Sequence, residues 1–79
     1  MFDLYDVVKF DMRFGNDMLH LEGYIFVIDK YGTFEQDKEP SYDVYVANLN
    51  CLFKHMRHSS LKYVRKPTSG EIRKVEAIR

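Results

Sequence analysis

The stretch YDVYVANLNCLFKHMRHSSLKYV, residues 42–64, decides the fold. Its opening, YDVYVA (42–47), is aromatic and β-branched, the kind of side chain that packs well on a pleated surface. Asn48, Leu49 and Asn50 are a turn, and CLFKH (51–55) is a second apolar strand. A polar break at 57–60, with two serines, separates it from LKYV (61–64). The reading is a hairpin, one turn of tight helix and a short last strand, which together make the closing half of a small β barrel.

Upstream, VKFDMRF (8–14) alternates apolar and polar residues without a fault, so one face is buried and the other wet. Gly15-Asn16 is a hairpin dipeptide. The chain then returns as a long strand over 19–29, with Leu19, Leu21, Ile25 and Val27 on one face and Gly23 where that series lacks a side chain. A glycine inside a strand marks a bulge or a sharp bend, which a small barrel needs in order to close. Five antiparallel strands are expected at 8–14, 19–29, 42–47, 51–55 and 61–65. The expected core is Phe10, Met12, Leu21, Ile25, Val27, Val44, Val46, Leu52 and Val64.

Between the second and third strands the periodicity dissolves into turn chemistry at 29–32 and a polar loop at 35–41. Tyr31 and Phe34 have no regular pattern to bury them, so they either cap an open end of the barrel or face a partner. At the other end, Thr68 and Glu71 match a capping box. Ile72, Val75 and Ile78 then fall on one helical stripe. A helix of about nine residues is marginal alone, so this tail is expected to pack on the barrel. The domain reading is a barrel over 1–66 and a helical tail over 67–79.

At 79 residues the chain is one small domain, which buries about 60% of the surface its unfolded form exposes. Twelve aromatic residues, six Phe and six Tyr, supply large apolar area to so thin a core. A single cysteine excludes an internal disulfide framework, and the acidic opening MFDLYDVVKFD is unlike a signal peptide. The longest apolar run, YIFVI (24–28), is far too short to span a bilayer. A cytoplasmic protein with no membrane contact is expected.

Net charge is zero, yet ten acidic and four basic residues precede Val44 while two acidic and eight basic follow. In a folded β domain the two sets neutralise each other across the surface, or else leave a basic patch for an acidic partner. Cys51, His55, His58 and His20 are zinc-type ligands, but Cys51 and His55 on one strand lie roughly 13 Å apart, too far to share an ion. No metal or cofactor is expected, with Cys51 read as a small buried residue. No nucleophile and base stand in an orienting frame, so no enzyme is expected.

Gly23 ahead of the 24–28 strand, then YDVYV (42–46), then CLFKHMRHSSLKYV (51–64), resembles the small SH3-like barrel proteins of bacterial phages and mobile elements. The resemblance spans about 8–64, and its elements are architecture more than chemistry. The fold reading is a mainly β, five-stranded antiparallel SH3-like barrel with a short C-terminal helix, monomeric or weakly dimeric; the resemblance implies a non-enzymatic binding or accessory module, and the helical tail departs from its minimal pattern. The phage character implies an accessory protein that inhibits a host defence nuclease complex in the anti-CRISPR manner, within the host cytoplasm. Partner contact then falls to Tyr31, Phe34, Asp29, Glu35, Asp37, Glu39 and Asp43. The alternative is nucleic-acid binding through Lys54, Arg57, Lys62, Arg65, Lys66, Arg73 and Lys74, with Phe53 and Tyr63 interleaved among the first of these for stacking.

Overall fold

A computed structural model describes residues 1–32 and 39–79. Strands β1 (Val7–Phe14), β2 (Asp17–Asp29), β3 (Ser41–Val46), β4 (Cys51–Arg57) and β5 (Lys62–Arg65) precede one helix, α1 (Ser69–Ile78). Single 3-10 turns, Ala47–Leu49 and His58–Ser60, link β3 to β4 and β4 to β5. All strand pairs are antiparallel, in the order β4-β3-β2-β1-β5. The five strands and the tight turn before the last one stand close to where the sequence puts them. The sheet, however, is open: β4 and β5 lie at its two ends, and the described residues do not close it into a barrel.

The sheet is nonetheless strongly curled. Phe10 on β1 meets Phe53 on β4 edge to face, with ring centroids 5.4 Å apart, although two strands lie between them. Inside the curl sit Val8, Phe10, Ile25, Tyr42, Val44, Val46 and Leu61, with Phe53 and Met56 of β4 packed against them.

β2 holds the curl together by changing partners along its length. It pairs with β1 from Asp17 to Tyr24 and with β3 from Tyr24 to Asp29. At the changeover, a Cβ on Gly23 would stand 2.6 Å from the Tyr45 carbonyl oxygen and 2.7 Å from Val44 Cγ1. Only a residue without a side chain lets β3 come this close.

Three residues beyond Gly23 a bulge places Phe26 opposite no partner, so Ile25 pairs with Val44 and Val27 with Asp43. The extra residue reverses the alternation. Ile25 stays inside the curl, Phe26 is buried on the outer face, and Val27, expected in the core, is exposed. Leu52 and Val64 are corrections of the same kind. Leu52 pairs with Tyr45 on the outer face and leaves the inner position to Phe53, while Val64 is the unpaired residue where β5 shifts register against Val7 and Val8. Met12 and Leu21 are half-buried at the rim.

Helix α1 covers the outer face through Val75, which is buried with Phe26 and Tyr45, with Tyr5 and Tyr24 packed around them. Ile72 is half-buried and Ile78 exposed, so the expected stripe is engaged mainly at its centre. Among the described residues no helix is long and apolar enough to cross a membrane.

Replacing Gly23 with Ala should force β2 and β3 apart and lower unfolding free energy by about 1–3 kcal/mol, the usual range for overpacking. A shifted urea midpoint with an unchanged slope would report it.

Candidate interaction surfaces

Much of the charge that the sequence offers for binding is spent inside the domain. Glu71, third residue of α1, accepts from the Thr68 amide while the Thr68 hydroxyl accepts from the Glu71 amide, completing the capping box. The same carboxylate takes a two-pronged contact from Arg65, at 2.6 and 2.9 Å, and accepts from the Tyr24 hydroxyl at 2.5 Å. One side chain thus joins the helix N-terminus to β5 and β2. The Arg65 guanidinium is the main cause that holds the Glu71 carboxyl well below the usual carboxylate range. Burial, then the hydrogen bond to Glu71, push the Tyr24 phenol up to about 12.

Lys66 is bound just as firmly. Its ammonium donates to Asp3 Oδ2 at 2.6 Å and to Asp6 Oδ1 at 2.9 Å, pinning the N-terminal segment to the chain that leads into α1. Those two bonds raise its proton affinity, and the one to Lys66 lowers that of Asp3. Arg57 is also engaged. Lys54, Lys62, Arg73 and Lys74 are exposed and make no ion pair among the described residues, but they are spread over β4, β5 and α1. The structure therefore does not gather the seven basic candidates into one group.

The acidic candidates divide in the same way. Phe34, Glu35 and Asp37 lie outside the described residues. Asp29 accepts from the Tyr31 amide and shapes the turn. Glu39 accepts from the Ser59 hydroxyl and amide, which lower its pKa and tie the long loop to the 3-10 turn before β5. Asp43 accepts from the amide of His55, a residue at φ +60 inside a bulge of β4, and so steadies a strained backbone position. Tyr31 is 77% exposed, which does not fit a cap on the open end of the sheet.

The zinc-type residues are also placed apart. His58 stacks on Phe2 and its Nδ1 lies 2.9 Å from the Tyr42 hydroxyl, which itself accepts from the Phe2 amide. The Tyr42 hydroxyl can donate to His58 when the histidine proton is on Nε2, and the ring itself packs on Phe2. His20 pairs with Asp11 at 2.6 Å. Cys51 is exposed, against the expectation of a buried thiol.

A surface that sequence reasoning missed lies where β5 meets β1. A shallow groove of about 720 Å³ is lined by Lys9, Asp11, Glu22, Lys62 and Tyr63 among others. Its charges are of both signs: register sets Lys9 beside Glu22 on one side and beside Lys62 on the other, and Asp11 beside His20. The signal was present in the polar half of the 8–14 alternation. Counting back from the Gly15-Asn16 turn brings Lys9 opposite Glu22.

Glu71 has a folded pKa below its ordinary 4.5, so its contribution to stability is complete above that value and fades as pH falls through the folded one. Glu71→Gln should lower the melting temperature at pH 7 and remove much of the additional loss that the parent suffers below pH about 4.5. Thermal melts from pH 7 to pH 2 would show the two curves converging in acid.

Comparison with protein-family models, with curated proteins and with solved structures finds no match to this chain, so the functional reading rests on the geometry above.

Proposed function

We propose that the chain is a non-enzymatic protein-interaction module of the SH3-like kind. An antiparallel meander from β1 to β4, with β5 returning beside β1 after a single 3-10 turn, supports that reading of the open sheet. The groups with displaced proton affinities, such as Glu71, Tyr24, Lys66 and Glu39, all tie elements together, which is a structural use of such shifts.

The observation that carries the proposal is the sign pattern of the exposed charge. The groove beside β5 mixes Lys9 and Lys62 with Asp11 and Glu22 around the exposed Tyr63. A polyanion rewards a continuous basic track, whereas mixed signs around an aromatic suit the mixed surface of another protein. Arg65 and Lys66, two members of a potential basic track, are instead neutralised at home. Inhibition of a host nuclease complex is the narrower form of the proposal. It draws on the resemblance to phage barrels and on the exposed Tyr31 beside Asp29.

Two measurements decide between the partner classes. A photo-crosslinking residue at position 62 should yield an adduct with a discrete second protein in cells, and Tyr63→Ala should abolish it. Gel shifts at low salt should show no complex with DNA or RNA. A complex that weakens steeply with salt and with charge removal at Lys54, Lys62, Arg73 and Lys74, without any protein adduct, would instead establish the nucleic-acid alternative.

A further inference from the structure

Among the described residues, the outer half of β1 has a strand on one side only. β2 accompanies β1 along its whole length, but β5 pairs with Val7, Val8 and Lys9, so no described strand is paired with FDMRF (10–14) on that side. The hairpin turn fixes what this edge presents. Gly15 has φ +58 and Asn16 is not in the left-handed region, which is a two-residue turn with glycine in its first central position. Such a turn closes on a hydrogen-bonded pair, here Phe14 and Asp17. By alternation Phe10, Met12 and Phe14 direct their amides and carbonyls to β2, and Asp11 and Arg13 direct theirs outward.

The side chains along the edge are distinctive. Asp11 and Arg13 are exposed on one face, while Met12 and Phe14 lie on the other with Phe10. Phe14 is 55% exposed, and Met18, which pairs with Arg13 across the hairpin, is 48% exposed. An open edge with exposed aromatic surface is a template for strand addition.

We propose that this edge pairs with the same edge of a second copy of the chain, antiparallel, about a two-fold axis through Met12. The segment FDMRF reads as its own complement under that operation. Asp11 of each copy faces Arg13 of the other, and Phe10 faces Phe14, so two ion pairs and one apolar row form together. The outward backbone groups of Asp11 and Arg13 meet their counterparts and complete the ladder. Asp11 keeps its contact with His20 through Oδ1, and a carboxylate has acceptor sites left for arginine.

Neighbouring registers are rejected by charge. Centring the pair on Asp11 sets Asp11 against itself and Lys9 against Arg13, and centring it on Arg13 opposes two guanidinium groups. Registers further towards the start of β1 are blocked by β5, which already occupies Lys9. Registers in which Asp11 opposes an even-numbered residue bring outward groups against inward ones and form no ladder. The free edge of β2 offers no equivalent, because centring on His20 brings Met18 against Glu22. Asp11 and Phe10 belong both to this edge and to the groove of the proposed function, so the test reads self-association of the purified chain, which that function does not require.

Sedimentation velocity over a concentration series reaching about 1 mM should show a reversible monomer–dimer equilibrium, as expected for a contact of one short strand. Asp11→Arg and Arg13→Asp should each weaken it by about tenfold or more, because both symmetry-related pairs turn repulsive at once. The double variant D11R/R13D exchanges the charges and should restore dimerisation, with circular dichroism confirming that each variant is folded. In the double variant M12C/C51S, mild oxidation should give a covalent dimer, since residues facing across the two-fold axis in a non-hydrogen-bonded pair have Cα atoms about 4.5 Å apart, within disulfide reach. A chain that sediments as a monomer throughout, a dimer indifferent to the single reversals, or a double reversal no tighter than either single one would overturn the proposal.

Discussion

The close approach of β3 to Gly23 is the constraint on which the rest of the structure depends. β2, the longest of the described strands, serves two neighbours in succession, and it can do so only if its middle lies against the β3 backbone. The bulge at Phe26 follows directly beyond it, so that Phe26 and Val27 both fall on the outer side while Ile25 and Ile28 pack inside. From that point the domain has two cores instead of one. Ile25 belongs to the inside of the curl, and Phe26 provides the outer face with an aromatic floor that the helix then covers.

The helix is held at its first turn and at its centre. Val75 supplies buried apolar area against Phe26 and Tyr45. Glu71 supplies direction, since a carboxylate that caps its own helix, clasps Arg65 and receives the Tyr24 hydroxyl leaves few orientations open to the helix start. A short helix marginal by itself becomes a fixed part of the fold through these contacts. The stacked rings of Phe26 and Tyr45, 5.0 Å apart at their centroids, extend the apolar floor on which Val75 sits.

The opposite charges of the two halves of the chain meet in space, but selectively. Lys66 comes back to Asp3 and Asp6, 63 and 60 positions earlier in the chain, whereas Arg65 finds its acid six residues ahead on α1. Exposed charge of both signs is left over around the β1–β5 groove and along the β1 edge.

What the sequence by itself determined is everything governed by local period and local chemistry. The alternation in 8–14, the Gly15-Asn16 turn, the aromatic run at 42–46 and the capping box at Thr68 and Glu71 each act within a few residues, and each stands where the sequence put it. Tertiary structure alone decided which face Val27, Leu52 and Val64 occupy, because a bulge or register shift exists only against a partner strand and one extra residue reverses all that follows. It also decided which charges remain available. Whether Lys66 or Glu39 binds a partner or fastens the domain depends on contacts with Asp3, Asp6 and Ser59, and such long-range pairings leave no period in the chain.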